Sequence, residues 1–389
     1  MRHRFAPVGL VLVCAALLGA QEVGASAPWA IQPTPNPPGS LSSDLAGVSC
    51  PVVASCTAVG DYLVPGAESD TLAERWKGGV WVVQPTPNPA GADLSWLSGV
   101  SCVSADAYCV AVGAAAPLFS EDLMLAERWN GSWTIQPTAT PAGSITSQLQ
   151  GVSCTATSAC TAVGGYGDPG GPWPTLAERW NGTGWAIQPT PNPVAARSSL
   201  PYGVSCPTSA ACTAVGEYLD TAGDELMLAE RWNGIGWVVQ PTPNPRGATS
   251  SVLSAVSCPS ATACTAVGYY ETSAGVQVRL VEAWNGAVWA IQPAPIAAGA
   301  GGNLLTGVSC PATTACTAVG THANSSGVLG TPLVEIWNGT VWAMQPSPNP
   351  AGSLQTFLNA ASCPAVSACT TVGQYFPRAA VPATLAEHY

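Results

Sequence analysis

One short phrase, Gly-Val-Ser-Cys or a close variant, occurs seven times along the chain of 389 residues. Its copies are 52 residues apart five times and 53 residues apart once, and their cysteines are Cys50, Cys102, Cys154, Cys206, Cys258, Cys310 and Cys363. A fixed period of about 50 residues is the signature of an architecture built from stacked or radially arranged copies of one supersecondary unit. The fold is therefore the fold of one unit, repeated.

Each unit contains four short runs of β-forming residues. In the second unit they are Leu97 to Cys102, Cys109 to Gly113, Leu123 to Trp129 and Trp133 to Gln136, which we name strands A, B, C and D. Asn130-Gly131 between C and D is a strong hairpin signal, because both positions of a two-residue hairpin turn favour positive φ. No helical period is present. The pattern predicts an all-β protein, a seven-bladed β-propeller with four antiparallel strands per blade.

The two ends of the repeat region complement each other. Trp29 to Gln32 reads as a strand D without its A, B and C, whereas Leu385 to Tyr389 reads as a strand C without its D. We therefore expect the N-terminal strand to complete the last blade and close the ring, which would also protect the sheet edges.

The first residues have the layout of a secretory signal peptide. Arg2 and Arg4 precede an apolar run from Val8 to Ala20, and small residues follow it. The predicted domains are a signal peptide at 1–27, cleaved after Ala25 or Ala27, and a propeller at 28–389. We expect a secreted, extracellular monomer, and the sequence contains no apolar stretch long enough for a membrane span.

Two cysteines per unit fit an oxidising compartment. Each pair is separated by five residues, or by six in the second unit, so we expect a disulfide across every A–B turn. Zinc is a poor alternative because the mature chain has few histidines. The predicted disulfide cysteines are Cys50 with Cys56, Cys102 with Cys109, Cys154 with Cys160, Cys206 with Cys212, Cys258 with Cys264, Cys310 with Cys316, and Cys363 with Cys369.

The charge balance argues against nucleic acid as a partner. The chain has a net charge of −11, and only 8% of its residues are charged. A basic stripe for phosphate contacts is missing.

Several features recur in every unit and are expected to be scaffold. A glutamate in strand C is present in all seven copies, and we expect it to accept hydrogen bonds from a neighbouring turn or blade, because a buried carboxylate needs partners. Tryptophan pairs such as Trp180 and Trp185 are expected to pack the outer strands.

Variation is confined to the B–C and D–A connections, which share one face of the ring. Function is expected there. Acidic residues concentrate in the B–C connections, among them Asp61 and Glu217, and the densest group is Asp220, Asp224 and Glu225. These three are candidate ligands for calcium, although their spacing matches no known calcium loop and solvated loop acids are ordinary. No other cofactor is expected.

Two tryptophans break the repeat on the same face: Trp96 at the entry to a strand A, and Trp173 in a B–C connection. Each is a candidate stacking platform for a sugar, although each could instead fill its own loop. Four tyrosines after strand B are further candidates, with packing as the alternative: Tyr62, Tyr166, Tyr218 and Tyr270.

The third unit carries Thr161-Ala162-Val163-Gly164, then Leu176-Ala177-Glu178-Arg179-Trp180-Asn181-Gly182-Thr183, then Trp185-Ala186-Ile187-Gln188-Pro189-Thr190-Pro191-Asn192-Pro193. These phrases resemble those of bacterial exported, kelch-like propeller repeat proteins, over essentially the whole mature chain. The family's inner aromatic residue is Thr here, with a Cys before it. The resemblance implies the fold but no particular function.

Three classes of function remain. The first is a non-catalytic binding or cell-surface module whose ligand is a carbohydrate or another surface protein, because no phosphate loop, zinc motif or nucleophile elbow is present. The second is a carbohydrate-active hydrolase or lyase with acidic residues at the axial mouth of the ring. The enzyme reading requires Asp61, Glu121, Asp168 or Asp220 to converge near the axis with raised pKa values. The third is a scaffold or envelope component with no small ligand, which fits the acidic, weakly charged composition equally well.

Overall fold

The computed structural model describes residues 29–66, 68–105, 107–118, 120–167, 171–294, 301–324, 327–378 and 381–389. The predicted signal peptide at 1–27 lies outside them. The described chain is all-β, and its strands are, in chain order, β1 (Ala30–Gln32), β2 (Ser42–Val52), β3 (Ser55–Val64), β4 (Glu68–Lys77), β5 (Val80–Gln84), β6 (Leu94–Ser104), β7 (Tyr108–Ala116), β8 (Leu123–Trp129), β9 (Trp133–Ile135), β10 (Thr146–Ala156), β11 (Ala159–Gly167), β12 (Thr175–Trp180), β13 (Trp185–Gln188), β14 (Ser198–Thr208), β15 (Ala211–Leu219), β16 (Glu225–Trp232), β17 (Trp237–Val239), β18 (Ala248–Ser260), β19 (Ala263–Thr272), β20 (Gln277–Trp284), β21 (Trp289–Ile291), β22 (Asn303–Ala312), β23 (Ala315–Ala323), β24 (Leu329–Trp337), β25 (Trp342–Gln345), β26 (Ser353–Ala365), β27 (Ala368–Pro377) and β28 (Ala383–His388).

Consecutive strands pair antiparallel in groups of four, and a single parallel pairing also joins β4 to β6, at Ser69 and Leu94, and β16 to β18, at Glu225 and Ser250. The first group is β2 to β5, five more groups follow it in chain order, and the last consists of β26, β27 and β28 with β1. We number these groups as blades 1 to 7. Repeated four-stranded sheets of this kind identify a β-propeller.

The A and B strands are longer than the sequence predicts. In blade 2, strand A runs from Leu94 to Ser104 and strand B from Tyr108 to Ala116, while strand C has its predicted bounds and strand D ends one residue early. Both long strands extend toward the variable face, where side chains vary between copies and the repeat pattern gives no signal.

The N-terminal strand completes the last blade, as predicted. β1 pairs antiparallel with β28, with Ala30 opposite His388 and Gln32 opposite Ala386. The link after β1 is bonded to the same strand: the Thr34 hydroxyl donates to the Thr384 carbonyl at 2.8 Å, and Asn36 Oδ1 accepts from the Thr384 amide at 3.1 Å.

The inner A strands are joined to one another by a repeated hydrogen bond. The serine of each Gly-Val-Ser-Cys phrase accepts from the amide of the cysteine in the next blade, at 2.9 to 3.0 Å. The seventh such bond runs from the Cys50 amide in blade 1 to Ser362 in blade 7, at 2.9 Å. The serine of the repeated phrase therefore links each blade to the next by a hydrogen bond.

All seven predicted disulfides are present, each across its A–B turn. A fully buried leucine of strand A or strand C, such as Leu45 or Leu72, packs beside them. The paired tryptophans of strands C and D have ring centroids 5.7 to 6.1 Å apart, and the strand D tryptophans are buried. The repeat aromatics are therefore scaffold, as expected.

The repeat glutamates are buried between blades. The carboxylate of Glu230 accepts from Thr175 of the preceding blade at 3.4 Å, Glu387 accepts from Ser347 at 2.7 Å, and Glu335 forms an ion pair with Arg279 at 2.6 Å. Their expected role, accepting hydrogen bonds from the neighbouring blade, is confirmed for Glu230 and Glu387, and for Glu178, which accepts from the Ala139 amide at 2.9 Å.

The D–A link is fastened to strand C of its own blade. In blade 3 the Thr190 hydroxyl donates to the Thr175 carbonyl at 2.8 Å, and Asn192 Oδ1 accepts from the Thr175 amide at 3.0 Å. Because strand D is short, the Pro-Thr-Pro-Asn-Pro segment replaces it as the hydrogen-bonding partner of strand C.

The C–D turn differs from its predicted geometry. Only its glycine has positive φ, +97° at Gly182, whereas Asn181 accepts the amides of Thr183 and Gly184 through its side chain. The asparagine acts as a local hydrogen-bond acceptor rather than as a left-handed residue.

Candidate binding surface at the axial mouth

A central cavity of about 200 Å³ is surrounded by all seven A strands. Its wall includes the residue that precedes the Gly-Val-Ser-Cys phrase in each blade. These residues differ from copy to copy and are Ala46, Ser98, Gln150, Tyr202, Ser254, Thr306 and Asn359.

A β-bulge explains why this residue lines the cavity. In blade 1 the pairing steps from Leu45–Gly60 to Gly47–Val59, so Ala46 has no partner, and every other A strand has the same shift. A bulge leaves one residue unpaired and re-aims its side chain. The seven bulge residues thus form a ring around the axis.

The residue after the bulge is small because the A strands approach closely. A Cβ on Gly151 would lie 2.8 Å from the Tyr202 carbonyl, and one on Gly307 would lie 2.8 Å from the Ala360 Cα. Backbone contact between neighbouring blades keeps the cavity narrow.

A second ring of variable residues lies two positions before the bulges in strand A, toward the variable face, and three of its side chains, those of Ala114, Val252 and Thr321, are buried. Here one strand A residue stands opposite the strand B residue that follows Val-Gly. The seven pairs are Asp44–Asp61, Trp96–Ala114, Gln148–Gly165, Leu200–Glu217, Val252–Tyr269, Leu304–Thr321 and Phe357–Gln374. We name the two rings together the axial mouth.

Two carboxyl groups share the axial mouth in blade 1. Asn359 of blade 7 donates to Asp44 Oδ1 at 2.9 Å and to the Leu45 carbonyl at 3.0 Å. Burial, together with the neighbouring Asp61, raises the pKa of Asp44 to about 7, and burial raises the pKa of Asp61 to about 6. This pair can hold a proton near neutral pH.

A tyrosine and a carboxyl group meet in blade 4. The Tyr202 hydroxyl donates to Glu217 Oε1 at 2.8 Å. Burial raises the pKa of Glu217 to about 7; the bond from Tyr202 opposes the rise, and the nearby Glu225 adds to it. Burial and Glu217 also raise the pKa of Tyr202.

The two predicted tryptophans have different surroundings. Trp96 lies half-buried in the second ring of the axial mouth. Trp173 packs over its own blade. Its ring lies against Gly165 and Gly167, 3.4 Å from the position that a Cβ on either glycine would take. Its carbonyl accepts from the Ser199 amide at 2.6 Å, and it borders a small cavity of about 160 Å³ between blades 3 and 4.

The four predicted tyrosines are all half-buried on B strands. Tyr62, Tyr166 and Tyr270 pack against hydrophobic clusters of their blades, and the Tyr62 hydroxyl donates to Asp70 at 3.2 Å. Tyr218 stands opposite Ser199 and Leu226. These contacts are typical of packing residues.

The predicted calcium ligands do not gather. Asp220 Oδ1 accepts the amides of Ala222 and Asp224, at 2.8 and 3.0 Å, and so stabilises its own loop, while Glu225 lies on β16 beside Glu217. Within the described ranges, no three His, Cys, Asp or Glu side chains are arranged to hold a metal ion.

The acids proposed for an active site are also dispersed. Asp61 reaches the axial mouth with a raised pKa, and it lies inside β3 rather than in a connection, as Glu217 lies inside β15. Glu121 and Asp220 are in connections, and Asp168 lies outside the described residues.

Sequence reasoning missed Asp44, Tyr202 and Asn359. The signal that could have found Tyr202 and Asn359 is a variable residue directly beside four that hardly vary, whereas Asp44 lies two positions further from that phrase and has no such signal. The bulge that turns the variable residue toward the axis has no signature in the alternation of side chains.

No known protein family and no curated protein matches the sequence, so the kelch-like resemblance has no sequence match behind it. No helix among the described residues has the length and apolar character needed to cross a membrane.

Solved structures give clear similarities of fold. One is a polysaccharide lyase of family PL25, an ulvan lyase bound to -[GlcA(1-4)Rha3S]-, with a TM-score of 0.53 and 10% identity over 89% of this chain and 94% of that one. Another is the GH74 xyloglucanase from Xanthomonas campestris, with a TM-score of 0.52 and 11% identity over 92% of this chain and 55% of that one. At such identities the comparison shows a shared β-propeller fold.

Proposed function

We propose that the chain is an exported, closed seven-bladed propeller that binds carbohydrate at its axial mouth as a non-catalytic module. One observation carries the proposal: polar and aromatic residues that break the repeat come together in two rings around the axis. A scaffold needs no variation there, whereas recognition of one ligand does.

The chemistry of the axial mouth suits a carbohydrate. Hydroxyl and amide groups such as those of Ser98, Gln150 and Asn359 can satisfy sugar hydroxyls, and Trp96 offers an aromatic face. The two solved structures with the same fold are named for action on polysaccharides, which supports this ligand class by analogy alone.

Closure and export have independent support. The serine-to-cysteine hydrogen bonds return from blade 7 to blade 1, and β1 pairs with β28. Seven disulfides suit an oxidising compartment outside the cytosol, in keeping with a signal peptide at 1–27. A monomer remains our expectation.

The test is a glycan array followed by polysaccharide pull-down, with and without calcium. Tyr202→Phe and Trp96→Ala should lose most binding, and Trp173→Ala, which alters the groove between blades 3 and 4, should retain it. Loss in Trp173→Ala alone would overturn the axial site. Failure of every variant and of the native protein to bind any glycan would overturn the carbohydrate proposal in favour of a protein ligand.

A second candidate function is polysaccharide cleavage. The pKa values near 7 for Asp44 and Glu217 favour it, because a general acid works best when its pKa is close to the working pH. Incubation with the polysaccharides that bind should then release new reducing ends, or unsaturated ends for a lyase. Asp44→Asn and Glu217→Gln should abolish that release while binding persists, whereas binding without release supports the non-catalytic module.

A further inference from the structure

A cation–π contact joins neighbouring blades at three places. The guanidinium carbon of Arg75 lies 4.6 Å from the ring centroid of Trp129 in the next blade. Arg179 lies 5.3 Å from the ring of Trp232, and Arg231 lies 4.8 Å from that of Trp284. Each arginine follows the repeat glutamate of strand C, and each tryptophan follows that arginine's position in the next blade.

A backbone carbonyl completes this slot. Arg179 donates from Nη2 to the Ser209 carbonyl at 2.8 Å, and Arg231 donates from Nη2 to the Ala261 carbonyl at 2.7 Å. Ser209 and Ala261 both stand three residues after the first cysteine of the next blade. The repeat therefore builds a guanidinium site from an aromatic ring and an A–B turn, and fills it from the preceding blade.

The arginine is absent from blades 5, 6 and 7, and at the junction of blades 6 and 7 a cavity takes its place. There Ile336 stands at the arginine position, Tyr389 stands at the position of the tryptophan, and Val366 supplies the carbonyl position three residues after Cys363. The cavity has a volume of about 580 Å³, and these three residues line it with Trp337 and Asn338.

We infer that this cavity binds a guanidinium group from outside the chain. The ring of Tyr389 and the Val366 turn repeat the surroundings that hold Arg179 and Arg231 elsewhere in the same molecule. A guanidinium is planar, stacks on aromatic faces and donates to carbonyls in a fixed fork. The net charge of −11 attracts cations to the surface.

The cavity has the size of a ligand site rather than a packing gap. It lies at the A–B and C–D turns, on the face opposite the axial mouth, so the inference is independent of the proposed function. The guanidinium could belong to free arginine or to an arginine side chain of a partner protein. Free arginine also carries a charged α-amino and α-carboxylate group, whereas an arginine within a protein chain does not.

Calorimetric titration with N-acetyl-arginine-N-methylamide tests the inference, with the citrulline analogue as a neutral isostere. We expect the arginine compound to bind about tenfold more tightly than the citrulline compound, as a cation–π contact predicts. Free arginine forms the second arm: tighter binding than the blocked compound indicates a small-molecule ligand, and weaker binding indicates a protein-borne arginine. Either result supports a guanidinium-binding site in this cavity.

Ile336→Arg restores the residue of the repeat and should close the cavity without disturbing the fold. It should abolish binding, whereas Ser132→Arg, which adds the same charge at an exposed C–D turn of blade 2, should not. Unchanged binding in Ile336→Arg, equal binding of the citrulline compound, or no binding to the native protein would each overturn the inference.

Discussion

At the scale of single residues, the repeat glutamates show how one position can differ in environment between copies. Glu178 and Glu387 accept from the D–A link of the preceding blade. Glu230 and Glu335 instead face the residue three places before the glutamate of the preceding blade, Thr175 and Arg279. For Glu282 that residue is Met227, and neither carboxyl oxygen of Glu282 has a hydrogen-bond partner among the described residues. Burial alone raises its pKa to about 8.

Glu282→Gln should therefore stabilise the protein increasingly as pH rises from about 5 to about 8, because the unfolded chain releases a proton that the folded carboxyl keeps. At about pH 5 the buried carboxyl is neutral and the amide replaces it at little cost, while at about pH 9 the variant should melt at a higher temperature than the native protein, because it avoids an unpaired buried charge. Thermal unfolding at both pH values measures the difference.

Glu335→Gln is the matched control. This variant removes the ionic partner of Arg279, which is itself buried, and leaves an unpaired cation. At about pH 9, where Glu335 is ionised, the variant should have a lower melting temperature than the native protein, with a loss of about 3 kcal/mol of unfolding free energy. Similar behaviour of the two variants would contradict the assignment of Glu282 as unpartnered.

At the scale of the element, the Pro-Thr-Pro-Asn-Pro segment substitutes for the missing length of strand D. Its prolines indicate a stiff path, and from the sequence alone we expect only a rigid connection. The structure adds the function of the polar residues between them: threonine and asparagine bond both backbone groups of one strand C residue. A proline-rich segment has few amides of its own to offer, so side chains make the contact.

Thr190→Val and Thr34→Val test the segment at two places. Each removes one hydroxyl that donates to a strand C carbonyl, and each should cost about 1 kcal/mol of unfolding free energy. Thr34→Val should additionally speed amide hydrogen exchange in β1, because its segment ties the N-terminal strand to the last blade. Equal exchange of β1 in both variants would show that β1 is held by its pairing alone.

The elements were predictable from the sequence to the extent that they repeat. Strand C of blade 2 has its predicted bounds, and the disulfides follow from spacing. Strands A and B were cut short because their outer halves carry the residues that vary, such as Asp44 and Asp61, and variable positions look like connections. The axial ring needed the bulge after Leu45, which is a matter of pairing between strands.

At the scale of the whole molecule, seven buried glutamates make stability depend on pH. Their pKa values are raised to about 7 or 8, chiefly by burial, from an ordinary value of 4.5. The folded chain therefore holds protons that the unfolded chain releases, and stability falls as pH rises between these values.

The melting temperature should thus be higher at about pH 5 than at about pH 8, and the decline should be spread across that interval. Calorimetry over a pH series at constant ionic strength measures it. A melting temperature that increases from pH 5 to pH 8 would mean that the glutamates are charged and satisfied in the folded protein.

Strands β28 and β1 pair as the two strands of a C–D hairpin that lacks its turn. Tyr389 and Trp29 have ring centroids 5.3 Å apart and occupy the positions that the paired tryptophans hold on either side of every other C–D turn. A linker copied from Asn130 to Ser132 would therefore join them as an ordinary hairpin, and the chain could be reopened at the C–D turn of another blade. Circular permutants of this kind should fold, since a ring of equivalent blades has no intrinsic starting point.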